Sequence, residues 1–197
     1  MSAMQERLPQ PVHDGTEVTP APGNLELVRG FMSLHDHARG TAGSLEPSLE
    51  TLRWWLRTNG LLVEDADAPE EELTWAFGVR SALVAKVREN MGERVDDTVV
   101  ERLNLGAVET GLRPRFDEAR LDPTAGGVRG AIGVLLGIAF MAELDGSWRR
   151  FRMCANPECL TVFYDRSKNH SAKWCSMQSC GNRNKVRAFR ERHAPAT

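Results

Sequence analysis

At 197 residues the chain is long enough for one ordinary domain plus a small module, and its composition is that of a soluble globular protein. A net charge of −2 would exclude a polyanion partner were it evenly spread, but it is not. From Trp148 onward 11 Lys and Arg stand against 3 Asp and Glu, a net +8, so the remainder of the chain carries −10. The start, MSAMQERLPQPVHDG, has no apolar core of a signal peptide. The longest apolar stretch, Ala131 to Met141, is broken by glycines and falls short of the roughly 20 residues of a membrane span. A cytoplasmic protein without membrane contact is expected, in a compartment where disulfides rarely persist.

Residues 1–23 hold Pro9, Pro11, Pro20 and Pro22 without apolar periodicity and read as a disordered tail. From Asn24 the pattern becomes helical, with Leu25, Leu27, Val28, Phe31, Met32 and Leu34 on one stripe running to Gly40. A second helix is expected to start near Pro47 and stop at Gly60, with Leu49, Leu52, Trp55 and Leu56 inward. A longer one spans about Glu70 to Asn90 and a shorter one Asp96 to Leu105. GLRPRFDEARLDPTAGG partly alternates between turn residues, which predicts a short β-hairpin. VRGAIGVLLGIAFMAEL is apolar nearly all round and reads as the buried central helix. Its Gly130, Gly133 and Gly137 would admit a neighbouring helix, and no Gly-Lys-Ser/Thr follows to make a phosphate loop. Asp145-Gly146-Ser147 marks a boundary.

All four cysteines lie beyond that boundary: Cys154, Cys159, Cys175 and Cys180 form C-x4-C, fifteen residues, then C-x4-C. Two short loops each presenting two thiolates suit one tetrahedral Zn²⁺, with Phe163, Tyr164 and Trp174 as the apolar filling of a hairpin or turn between the pairs. About fifty residues do not hold a core alone, so a structural metal has a clear role there. The compartment argues against two disulfides, and a redox pair would more usually be C-x-x-C. An iron–sulfur site uses the same ligand count and stays open on spacing alone. Four cysteine ligands leave no open position, so a catalytic metal is not expected. His170, His35 and His37 read as surface or packed histidines rather than ligands.

After Cys180 the chain should turn into a helix, with Gly181 letting the backbone approach the metal and donate amides to sulfur, and Asn182 as its N-cap. Arg183, Arg187 and Arg190 then share one stripe, Lys185 and Arg192 form a second basic edge, and Val186 and Phe189 face the zinc module. A zinc tetrathiolate carries −2, so the module keeps about +6. Cations gathered on one face of a metal-anchored helix favour phosphates of nucleic acid over a merely solvated surface.

Cys180-Gly181-Asn182-Arg183, with Cys154, Cys159, Phe163-Tyr164-Asp165, Trp174-Cys175-Ser176 and Lys185, resembles the CGNR zinc finger of bacterial proteins over roughly Arg150 to Arg192. The resemblance implies the four cysteines as ligands, and the basic surface makes Lys173, Arg183, Lys185, Arg187, Arg190 and Arg192 the candidate DNA contacts. In that family the finger usually follows a helical ABATE domain, described for stress-induced transcription regulators. Residues 24 to about 148 are similar to it in length, helix order and the Leu52-Arg53-Trp54-Trp55-Leu56 segment. Gly30-Phe31-Met32-Ser33-Leu34 stands where such domains carry Asp-Phe-Val-Asn-Thr, and Ala172-Lys173 stands where two basic residues are common.

The expectation is thus a mainly α protein: tail 1–23, helical ABATE-like domain 24–147, and CGNR-type finger 148–197, a treble-cleft-like or zinc-ribbon-like four-cysteine zinc module ending in a helix. Its function would be bacterial transcription regulation without enzymatic activity, one structural zinc ion and DNA as partner. The helical domain would sense an unknown small molecule or form a homodimer. The alternative is a ligand-binding or enzymatic helical domain with a purely structural zinc appendage.

Overall fold

The computed structural model describes residues 18–34, 47–64, 66–157, 159 and 161–193. Within them the protein is mainly α: six helices, α1 Leu25–Met32, α2 Leu49–Thr58, α3 Glu70–Glu89, α4 Asp97–Glu109, α5 Gly127–Asp145 and α6 Asn182–Arg192. Two antiparallel hairpins complete it, β1 Arg113–Arg115 with β2 Arg120–Asp122, and β3 Phe151–Met153 with β4 Val162–Tyr164. The tail expected over 1–23 lies outside the described residues up to position 17; residues 18–23 carry no helix or strand, and Ala21 is buried in the core.

Caps set most helix starts. Ser48 accepts the amide of Thr51 at 3.2 Å ahead of α2, so Pro47 stands before the cap rather than inside the helix. Asp96 accepts the Thr98 amide at 2.9 Å ahead of α4, which runs past the expected Leu105 to Glu109. The first helix is shorter than its periodicity predicts: α1 ends at Met32, and the expected continuation from residue 35 to Gly40, with His35 and His37, lies outside the described residues. What ends it comes from elsewhere in the chain. The buried Arg80 of α3 donates to the carbonyls of Phe31 (3.0 Å), Met32 (2.9 Å) and Leu34, taking up the groups a helix end leaves unpaired.

Helix α5 is central, packed by α1, α3, α4 and β2. Val128, Ile132, Leu135 and Ala139 are buried, whereas Phe140 and Leu144 are exposed, so the helix has an open edge that its near-uniform apolar sequence conceals. Alone among the described helices it is long and apolar enough to cross a membrane, at 19 residues rather than the shorter apolar stretch its sequence suggests. More than half of that window is buried by the rest of the fold, as in a core helix. The glycines of α5 admit the hairpin and its exit, not a helix. A Cβ at Gly137 would lie 2.8 Å from the Leu121 carbonyl oxygen, and one at Gly133 would lie 2.5 Å from Pro123 Cβ and 2.9 Å from Thr110 Cβ. We expect Gly133→Ala to lower unfolding free energy by about 1–3 kcal/mol through overpacking. Gly78→Ala in α3, where a Cβ would sit 3.9 Å from Arg102, should instead raise it by about 0.5–1 kcal/mol. Urea denaturation of the two variants checks this pair of opposite signs.

Left-handed Gly146 (φ 78°) stops α5, and a short 3-10 turn, Ser147–Arg150, leads into β3. Pairing of β3 with β4 sets Phe151 opposite Tyr164 and Arg152 opposite Phe163. Side chains alternate across a hairpin. Phe151, Val162 and Tyr164 pack into the helical core, while Phe163 packs with the cysteines. The hairpin is therefore one wall shared by two cores, fastened to α1 and α3. Ser33 donates to the Val162 carbonyl at 2.9 Å, and the Asn90 amide donates to the carbonyls of Trp148 and Phe151 at 2.9 and 3.0 Å.

Candidate metal centre and basic helix

Cys154 follows β3 directly and Cys159 precedes β4, so the first pair sits at the closed end of the hairpin. The hairpin thus straddles the first pair instead of lying between the two pairs. Cys175 and Cys180 bracket the start of the last helix. One pair on a hairpin and one at a helix start is the treble-cleft-like option of the two expected; a ribbon would carry both pairs on hairpins.

The four sulfurs lie within 4.8 Å of one another, with Cys159 to Cys175 at 3.6 Å and Cys175 to Cys180 at 3.8 Å. Four sulfurs each 2.3 Å from a common centre stand about 3.8 Å apart at the corners of a tetrahedron, so the cluster has the dimensions of one Zn²⁺ tetrathiolate. All four cysteines are free of disulfides. Electrostatics point the same way. Hydrogen bonds from the Cys159 and Cys175 thiols hold Cys154 down to about 4, and the contacts of Cys175 with Cys154 and Cys159, helped by burial, push its thiol far above the ordinary range. A divalent cation at the centre of the cluster would offset the charge of thiolates held this close together.

Further polar groups hold the ligands in place. The buried Asn156 amide donates to Cys180 Sγ at 3.6 Å, linking the two pairs, and Thr161 Oγ1 lies 3.3 Å from Cys159 Sγ. The Ala155 amide donates to the Lys173 carbonyl at 2.8 Å, which lays the loop before Cys175 beside the first pair. Asp165 shapes that loop: its carboxylate accepts the Ser167 amide at 2.8 Å and the Ala172 amide at 2.9 Å. Burial alone would raise the Asp165 pKa, but these bonds and the nearby charge of Arg152 outweigh it, so its pKa is lowered. The sequence alone assigns none of these roles. A polar amide inside the first C-x4-C loop, at Asn156, is the signal that could have found one.

The last helix begins earlier than expected. Met177–Gly181 forms a π-helical turn running into α6, and Ser176 caps it by accepting the Ser179 amide at 3.4 Å. Asn182 is therefore inside the helical run, not its N-cap. Gly181 has ordinary helical angles (φ −63°), and its amide donates to the Ser176 carbonyl at 3.0 Å rather than to sulfur. Its lack of a side chain serves a close approach: a Cβ there would meet Met177 Sδ at 3.0 Å and Trp174 Cδ1 at 3.3 Å. His170 stands outside the cluster, and its carbonyl accepts from Arg152.

Arg183, Lys185, Arg187, Arg190 and Arg192 lie along α6, and Lys173 lies in the loop before Cys175. Arg183, Arg187 and Arg190 are exposed. Val186 and Phe189 do not pack on the metal module as expected; they are 41% and 56% exposed, with Phe189 stacked on His193 at 4.2 Å. The outward surface of α6 thus interleaves guanidinium groups with two apolar side chains.

Residues 150–193 match the CGNR zinc finger family, a span that holds the four cysteines and the whole of α6. The chain is a helical protein with a C-terminal four-cysteine zinc-finger module built for one structural zinc ion. No curated protein matches it.

Proposed function

We propose that this protein is a non-enzymatic bacterial transcription regulator that binds DNA through the zinc module and α6. In this reading the helical region, an ABATE-like domain, senses a small molecule or dimerises. The observation that carries it is the cationic face of α6 leaving a metal-pinned turn: exposed Arg183, Arg187 and Arg190 on one stripe, Lys185 and Arg192 beside it, Lys173 on the adjoining loop. The +8 charge of this segment against −10 elsewhere supports the same reading, because an acidic body keeps DNA at the finger. Exposed Val186 and Phe189 among the arginines suit contact with sugars and base edges, which are partly apolar. One small module buries little DNA surface, so a dimer or a second contact should accompany specific binding.

The second reading is a ligand-binding or enzymatic helical domain whose zinc is purely structural. The shared wall favours it: Phe151 and Val162 are fully buried in the helical core, so holding the β3–β4 hairpin closed is by itself a use for the metal. Fluorescence anisotropy on labelled genomic fragments separates the readings. We expect binding at about 50 mM salt that weakens steeply by 200 mM and disappears when chelator strips the zinc. Binding unaffected by chelator, or absent at low salt, would favour the second reading.

A further inference from the structure

Helix α6 turns one side to the rest of the protein and the opposite side away from it. Gly181 just before it is buried, and Asn184 and Ala188, three and seven residues on, are partly buried. At about 100° per residue, the side opposite these positions carries Val186 and Phe189. On one flank of that ridge run Arg183, Arg187 and Arg190, and on the other Lys185 and Arg192, all five exposed. The outermost surface of the helix is thus an apolar ridge between two cationic rows. Phe189 is exposed yet held: His193 stacks on its ring at 4.2 Å and donates from Nδ1 to the Phe189 carbonyl at 2.8 Å. A side chain already fixed in place loses little further entropy on contact.

A ridge of this cross-section matches the major groove of duplex DNA. The groove is about 12 Å wide, and a helix with its side chains is about 10–12 Å across. With α6 laid in it, the two cationic rows meet the phosphate walls and the ridge meets the base edges on the floor. The apolar group on that floor is the methyl of thymine. A lipid surface suits the ridge less well, because interfacial helices bury a broad apolar face and α6 has two large exposed apolar residues among those described.

We propose that α6 reads duplex DNA from the major groove, with Val186 and Phe189 packed on thymine methyl groups, so that A·T pairs are preferred over G·C. The inference deepens the DNA reading and rests on it. Zinc-loaded full-length protein is titrated by fluorescence anisotropy at low salt against short alternating duplexes of four kinds. These are A·T; A·U, which lacks only the methyl; G·C; and G·C with 5-methylcytosine, which sets a methyl on the same groove floor. Burying one methyl is worth about fourfold in affinity, so A·T should bind about fourfold or more tighter than A·U, and cytosine methylation should tighten G·C by a similar factor. Val186→Ala with Phe189→Ala should bring both ratios close to one while keeping the zinc and the salt slope, since both side chains are exposed and uncharged. Lys185→Ala should weaken all four duplexes alike and leave the ratios unchanged. Equal affinity for A·T and A·U, or ratios that survive the double variant, overturns the assignment. Tighter binding of single-stranded oligothymidine would give the Phe189–His193 pair to base stacking, and methyl-insensitive binding with uptake onto phosphatidylglycerol vesicles would give the ridge to a lipid surface. Either result overturns it as well. Binding to no duplex at all removes the DNA reading together with this one, whereas equal affinities for A·T and A·U remove this one alone.

Discussion

Cys180→Ser is expected to lower zinc affinity by well over about 100-fold, since changes to residues that merely support metal ligands already cost about 10–100-fold. Cys180 is 1% exposed, belongs to the four-sulfur cluster and receives the Asn156 amide, so it ties the helix start to the hairpin loop. Structural zinc binding contributes about 10–16 kcal/mol in small modules at neutral pH, and much of that is folding free energy. The loss should therefore be conformational, and it should be local. Phe151 and Val162 remain anchored in the helical core, whereas α6 has the cap turn as its main neighbour and leaves Val186 and Phe189 in solvent. Among the described residues no apolar side chain of α6 is buried, and an isolated 11-residue helix is marginal in water. Hydrogen exchange should show α6 and the Cys175–Cys180 turn opening while α3 and α5 keep native protection, with zinc competition against a chromogenic chelator giving the affinity. Asn156→Ala, which keeps all four ligands, should lose about tenfold. Native zinc affinity in Cys180→Ser, or α6 still protected in the metal-free protein, contradicts this account of what holds the module together.

Replacing Arg183, Arg187 and Arg190 together by Ala should remove most DNA affinity and change its salt dependence. If the module neutralises three to five phosphates, log K against log salt falls with a slope of about −3 to −4.5, and deleting three cations should flatten it by about 2.7. The effect should be electrostatic and not a failure to fold, because all three side chains are exposed and none holds the metal. An internal comparison is available at the first hairpin. Arg115 and Arg120 are also exposed, but Asp117, Glu118 and Asp122 pair with them, so that tip offers no net positive charge. Arg115→Ala with Arg120→Ala should leave the slope within its error. An unchanged slope in the α6 triple variant would remove the helix from the interface.

The cysteine pattern is legible because metal ligation is a local demand: two thiolates on each short loop suffice to propose the ion, and the 4.8 Å cluster has its dimensions. Helix α3, the β1–β2 hairpin and the span of α5 are legible for a similar reason, since apolar period and turn residues act within a few positions of each other. The end of helix α1 is not, because it is set by Arg80, nearly fifty residues away, whose guanidinium takes the last carbonyls. The partner of the α5 glycines is hidden for a related reason: glycine declares that something comes close, but not whether a helix or Pro123 does.

From its residues alone, then, the chain declares a metal module with a cationic helix, since ligand type, spacing and charge are properties of short segments. Only the tertiary structure decided that the β3–β4 hairpin is a wall common to both cores, that Val186 and Phe189 face solvent among the arginines, and that Trp148 is buried in the helical core. Those facts depend on which surfaces meet across long stretches of chain, and burial is a property of the assembled fold rather than of any one segment.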